Sequence, residues 1–222
     1  MKPKSAVITA DIIDSSTYDP QSYEFIIGQL KAEARLIQED FKEAEVHFEI
    51  YRGDSFQLVI NDAHKALQAA IRIKAAINKI VLISKKSKSA SKMVDIRMSI
   101  GIGAIDYEAD LVRESNGPAF HYSGRGFDTF IKNSNIKTLV NTENNNVNNE
   151  FKTSLKFFDY LVDRWSIASA EVVYYLLQGF TETKIADMLG ISQAAVNLRK
   201  KAAGWDEIQS LLNRYEQVIK AI

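Results

Sequence analysis

Between residues 5 and 106 the hydrophobic period switches from two to about 3.6 and back, twice, and this order restricts the fold more than any other property. "SAVITADII" (5–13) is a short β-branched run that turns acidic at Asp11 and reads as a buried strand. "QSYEFIIGQLKAEARLIQEDFKEA" (21–44) carries Phe25, Leu30, Ala34, Ile37 and Phe41 near helical spacing. "EVHFEIY" and "SFQLVI" then alternate on either side of Arg52-Gly53-Asp54. That pattern is a hairpin in which Gly53 tolerates positive φ and Asp54 supplies turn chemistry. Asn61 and Asp62 offer N-caps for the periodic run "AHKALQAAIRIKAAINKIVLIS", and "MVDIRMSIGIGAID" (93–106) alternates again.

The order β-α-β-β-α-β is that of the split βαβ, or ferredoxin-like, arrangement, an α+β fold that lays strand one beside the hairpin. The end of strand one then faces the hairpin turn. "SGRGFDTFIKNSN" reads as a short helix, "IKTLVNT" as a further strand, and "KKSKSASK" (85–92) as a basic solvated loop. The polar, low-complexity "NTENNNVNNE" (141–150) is the expected boundary. It separates a mixed α/β domain over 1–145 from a small all-helical domain over 146–222.

Composition narrows the classes of function. Formal net charge is zero over 222 residues, so a surface for nucleic acid must be local. The absence of cysteine excludes disulfides, thiolate metal sites and Cys nucleophiles. No apolar run approaches a membrane span and no signal-peptide pattern precedes Asp11, so a cytoplasmic protein without a membrane partner is expected. No Gly-rich dinucleotide or P-loop fingerprint occurs, and three scattered His make no zinc site.

"TETKIADMLGISQAAVNLRKK" (181–201) has helix-turn-helix spacing, within a motif of about 181–203. Ile185 and Ala186 face inward, Gly190 supplies the left-handed turn, Ile191 plugs the core, Ser192 caps the next helix, and Val196 packs back. Ser192, Gln193, Ala194, Asn197 and Lys200 then form the exposed face of a recognition helix, and Arg199, Lys200 and Lys201 serve phosphates of double-stranded DNA. Arg199 stands where an apolar residue is usual, and a slight rotation would hand that role to Leu198. A plain helical hairpin competes with this reading, since residues 151–222 hold nine Lys/Arg against eight Asp/Glu.

Asp11 and Asp54 sit on the two elements that the topology brings together. Two hard oxygen ligands suit Mg²⁺ or Mn²⁺ shared with nucleotide phosphates. Asp14, Ser15 and Ser16 of "DIIDSS" open the first helix, where backbone N–H groups could receive phosphate oxygens. Singly, each Asp reads as a turn or cap residue. In "ESNGPAFHYSGRG" (114–126), His121 and Arg125 are further candidates for phosphate contact.

The pattern "ITADIIDSS … YRGDSFQLVI … IRMSIGIGAI … SGRGFDTFIKN" resembles the class III nucleotidyl cyclase and GGDEF catalytic domains, which implies a palm-type domain. "DIIDSS", "GDSFQ", "SIGIGAI" and "SNGPAFHYSGRGFD", followed by the helix-turn-helix, are similar to the SatD family of bacterial proteins over nearly the whole chain. The cyclase resemblance implies that Asp11 and Asp54 bind metal. It places Gly124, Phe127 and Asp128 on the clasp pattern Gly-x-x-Val-Asn, and Lys132 on the Arg that neutralises the triphosphate. Asp128 and Lys132 are thereby the catalytic candidates, with Gly124 and Arg125 beside the nucleotide. Four positions depart from the pattern. Asp128 replaces Asn, Lys132 replaces Arg and loses its bidentate reach, Ile50 stands where the base is read, and Ser55 replaces Glu.

These resemblances imply a homodimeric, DNA-binding transcriptional regulator whose cyclase-like domain binds a nucleoside triphosphate or other nucleotide with Mg²⁺ or Mn²⁺. The alternative is an active metal-dependent nucleotidyl cyclase or nucleotidyltransferase with accessory helices. A third reading is an interaction module that uses neither motif.

Overall fold

Five strands form one sheet: β1 (Ser5–Ile12), β2 (Val46–Arg52), β3 (Ser55–Ile60), β4 (Ile96–Gly103) and β5 (Thr138–Asn141), in the order β2-β3-β1-β4-β5. The computed structural model describes residues 4–82, 93–107, 109, 111–132 and 136–222, without the side chains of Arg52, Arg113, Ile131 and Lys132. The basic stretch 85–92 therefore lies outside the described residues. β1 runs antiparallel to β3 and β4, and β5 runs parallel to β4. The first four strands follow the split order read from the hydrophobic periods. The fifth is reached through α3 (Pro118–Lys132).

Period-two alternation sorts the sheet into two faces. Ala6, Ile8, Ala10 and Ile12 of β1 join Ile96, Met98, Ile100 and Ile102 of β4 in the main core, under α1 (Pro20–Asp40) and α2 (Ala66–Asn78). Val7 and Val59 pack on the other face with Ala119 of α3. Helix α3 lies so close to the sheet that a Cβ at Gly101 would collide with the backbone of Ala119 and Ser123. The glycines of "SIGIG" serve that approach.

Helix α1 begins at Pro20, and the Asp19 carboxylate accepts from the N–H groups of Gln21 and Ser22 at 3.1 and 3.0 Å. Its inward stripe is Ile26, Leu30, Ala34 and Ile37, with Phe41 just past the end. Phe25, expected on that stripe, is 49% exposed because Ile26, a further 100° round the helix, faces the core instead. Helix α2 is buried on nearly every side, with only Gln68 outside its buried set. Such a helix needs cover all round.

That cover comes from the C-terminal helices. α4 (Asn145–Val162), α5 (Ile167–Leu177) and α8 (Trp205–Lys220) contribute Phe151, Phe158, Val173 and Ile219 to the same core as the sheet. The Tyr215 hydroxyl donates to the Ala63 carbonyl at 2.9 Å, and the Tyr174 hydroxyl donates to buried Glu33 at 2.7 Å. Arg72 of α2 donates to the other Glu33 oxygen at 2.5 Å. Each fully buried Leu, Ile or Phe stabilises by about 1.5–3 kcal/mol. The Asn-rich stretch is part of this assembly. Asn144 caps α4 through the N–H groups of Asn146 and Val147, and Val147 is already buried.

Helices α6 (Glu182–Leu189) and α7 (Gln193–Ala202) are joined by left-handed Gly190, Ile191 and the capping Ser192. Ile185, Ala186 and Val196 pack against Val172 of α5. Leu198 does not take over a packing role; it is 68% exposed. Val196 already fills the contact, and turning Leu198 inward would withdraw it. Among the described residues, no helix is long and apolar enough to cross a membrane.

Candidate functional site

The sheet register gathers carboxylates at one end of β1. Asp11 lies between Ser55 of β3 and Arg97 of β4, and is 8% exposed. The Ile12 N–H donates to the Asp54 carbonyl at 3.1 Å, which draws the hairpin turn against the end of β1. Gly53 reaches that turn with φ of 59°, a conformation that costs a residue with a Cβ. Ser15 donates its hydroxyl to the Asp54 carboxylate. Asp14 adopts φ of 56°, the left-handed conformation, and leads into the 3₁₀ turn Ser15–Thr17. Asp11, Asp14, Ser15 and Asp54 thus come together, while Ser16 is exposed. The Asp14–Ser16 turn does not open α1, whose first N–H groups are taken by Asp19.

Arg97 completes the cluster. Its Nε and Nη2 donate to the two oxygens of Asp11 at 2.7 and 2.8 Å, a bidentate fork. The guanidinium lies 5.8 and 5.9 Å from the ring centres of Phe127 and Phe130 on α3. The hydrogen bonds that Arg97 donates to Asp11 do most to raise the Arg97 pKa. Partial burial opposes it, and the charges of Asp11, Asp54 and Asp14 add to it. Sequence reasoning passed over Arg97. The signal was present, since a single cation interrupts "IRMSIGIG" on the face that antiparallel pairing assigns to Asp11.

A polar stripe continues beneath α3. The Thr9 hydroxyl donates to Ser123 at 3.0 Å and accepts from the Gln57 amide at 3.2 Å. Phe127 reaches the cluster through Arg97, and Gly124 is partly buried. His121, Arg125 and Asp128 are exposed on α3, with no hydrogen bond to the carboxylates among the described residues. The Lys132 side chain lies outside the described residues.

Asp11 pairs directly with Arg97, and Asp54 and Asp14 act on the same guanidinium only through their charges. Among the described residues no group of three or more His, Cys, Asp or Glu is arranged to hold a metal ion. The donor set nevertheless fits Mg²⁺ or Mn²⁺ in kind, being hard carboxylate oxygens with negative charge in excess. Such an ion would compete with Arg97 for the Asp11 oxygens.

At the other end of the chain, Ser192, Gln193 and Ala194 are exposed at the start of α7, and Lys201 is exposed in its last turn. Asn197 and Lys200 both donate to Glu182 of α6, at 3.4 and 3.0 Å. Arg199 lies 3.7 Å from Glu171 of α5. The candidate recognition helix is thereby tied to its neighbours along one side.

No curated protein matches the chain. The family model described as "Putative ATPase subunit of terminase (gpP-like)" matches residues 168–221, the stretch of α5 to α8. Solved structures of cyclase domains match part of the chain. A dimeric guanylyl cyclase domain of the RhoGC fusion protein from the aquatic fungus Blastocladiella emersonii has a TM-score of 0.42 at 17% identity, covering 55% of this chain and 72% of its own. Adenylate cyclases from Trypanosoma brucei, in their monomeric state, give 0.40 at 15%, covering 55% and 67%. The active GGEEF domain of a diguanylate cyclase from Vibrio cholerae gives 0.41 at 12%, covering 64% and 84%. At these scores and identities the matches carry no information about chemistry.

Proposed function

We propose that the protein is a homodimeric regulator of the SatD family that binds double-stranded DNA through α7 and a nucleotide at the β1–hairpin cluster. The observation that carries the DNA half is the surface of α7. Its core contact is sealed by Val196, which leaves Gln193 and Ala194 exposed to meet base edges, with the capping Ser192 beside them, and Lys201 exposed to meet phosphate. Arg199 and Lys200 add charge once they leave Glu171 and Glu182.

At the cluster, Asp11 and Asp54 would hold Mg²⁺ or Mn²⁺, which neutralises nucleotide phosphates. Arg97 holds Asp11 in place until the ion competes for it, Ser15 orients Asp54, and Gly124 leaves room beside Phe127. Asp128 and Arg125 would meet the nucleotide from the exposed side of α3, and the cyclase resemblance assigns Lys132 to its phosphates. The departures from the cyclase pattern, Asp128 for Asn and Lys132 for Arg, favour binding over turnover.

Anisotropy of a labelled library of double-stranded operators, followed by selection, tests the DNA half. Gln193→Ala and Lys201→Ala should each weaken binding; retention of wild-type affinity in both rejects it. Turnover is the second reading, favoured by the convergence of Asp11 and Asp54. Pyrophosphate release from a nucleoside triphosphate with Mn²⁺, above an Asp54→Ala control, would establish it instead.

A further inference from the structure

Helix α4 divides its charges between two sides. Glu150 receives both nitrogens of an Arg214 fork from α8, at 2.6 and 3.2 Å. Asp159 is buried and accepts from the N–H groups of Lys137 and Thr138 and from the Thr138 hydroxyl, at 2.8, 3.0 and 2.7 Å. Asp163, at the end of the helix, pairs with Lys137. Each acid is thus spent holding α4 to α8 or to β5. Lys152 and Lys156 have no carboxylate partner among the described residues, and they line the open outward face of α4, a shallow groove between its side-chain rows, with Asn149, Thr153, Phe157 and Tyr160.

The groove is aromatic as well as cationic. Phe157 is 70% exposed and Tyr160 is 61% exposed. One turn on, the Arg164 guanidinium lies 3.3 Å from the Tyr160 ring centre, extending a flat cationic surface. Interleaved cations and exposed rings are the elements of a single-strand platform, in which charge follows the phosphates and rings stack on bases. Lys152 and Lys156, four residues apart, are about 6 Å apart along the helix axis, comparable to neighbouring phosphates of an extended strand. A second copy of the chain suits the groove poorly, because a two-fold contact would set Lys152 and Lys156 against their own kind.

We propose that the outward face of α4 binds single-stranded nucleic acid, with Lys152 and Lys156 on the phosphates and with Phe157 and the face of Tyr160 that Arg164 leaves open stacked on bases. This surface is separate from α7 and from the carboxylate cluster, so it stands or falls independently of the proposed regulator.

The test uses the full chain and fluorescein-labelled dT15 in anisotropy titrations from 50 to 200 mM NaCl. Phe157→Ala and Tyr160→Ala should each weaken binding about tenfold at unchanged Tm. Lys152→Ala and Lys156→Ala should each flatten the slope of log K against log salt by about 0.7. An abasic oligonucleotide of equal length should compete far less well than dT15, as should polyglutamate. Absence of dT15 binding at 50 mM salt, equal binding by the four variants, or equal competition by the abasic strand or by polyglutamate would each overturn the proposal.

Discussion

Replacing Arg97 with Met removes the one cation that bonds Asp11 among the described residues while keeping an unbranched apolar stem against Phe127 and Phe130. The wild-type fork joins a carboxylate side chain 11% exposed to a guanidinium side chain 31% exposed. Breaking a fully buried pair costs about 3–5 kcal/mol. With the guanidinium about one-third in water, screening reduces this to about 2 kcal/mol. For a chain of this size each kcal/mol moves Tm by about 2–4 °C, so Arg97→Met should melt about 4–8 °C below wild type. Asp11, Asp14 and Asp54 would then repel one another without a counter-charge, and a divalent ion should restore what the guanidinium supplied. At Mn²⁺ one hundred times its dissociation constant the gain is about 2.7 kcal/mol, enough to reverse the loss. Differential scanning fluorimetry of both proteins over a Mn²⁺ series measures this. Equal stabilisation of wild type and variant by Mn²⁺ would refute the competition between Arg97 and metal, and an unchanged Tm without metal would refute the importance of the fork.

Three further outcomes follow from the packing. Gly101→Ala would press a methyl group into the backbone of α3, where no flexible side chain can yield, and should cost about 2 kcal/mol or more by urea denaturation. Tyr174→Phe would strip a buried Glu33 oxygen of its donor and should cost about 1–3 kcal/mol, with Tyr175→Phe as a milder control. Burial pushes the Asp95 carboxyl up, but Lys74 and Lys137 outweigh it and hold it well below its ordinary range. Its contribution is therefore present above the unfolded value near pH 4 and is lost as pH falls below that. Asp95→Asn should flatten the acid limb of a stability–pH profile between about pH 4 and pH 2.

Much of the N-terminal half was legible because strand periodicity and turn chemistry are local. "SFQLVI" and "IRMSIGIG" each show which side chains share a face, and Gly53-Asp54 marks the reversal between β2 and β3. Topology then follows from the order of the elements, since a hairpin inserted between β1 and β4 leaves few pairings. The candidate site was legible in part for the same reason. Asp11 and Asp54 are adjacent because the end of one strand meets the turn of its neighbour. Arg97 was missed because its role arises from register across β1 and β4, between residues 86 positions apart.

The sequence by itself determined where the strands lie, the Asp62 and Ser192 caps, and the Gly190 turn, all of which depend on contacts within a few residues. Only the tertiary structure decided what covers α2, which residue of the first helix turns inward, and whether "NTENNNVNNE" is a linker or a helix start. Those outcomes rest on desolvation. Phe25 and Ile26 are both apolar, and only the shape of the sheet beneath α1 selects Ile26. Polarity alone cannot separate an Asn that faces water from Asn144, whose side chain accepts two backbone N–H groups. The same holds for charge. Lys152 and Lys156 differ from Lys74 not in chemistry but in whether the fold brings a carboxylate to them.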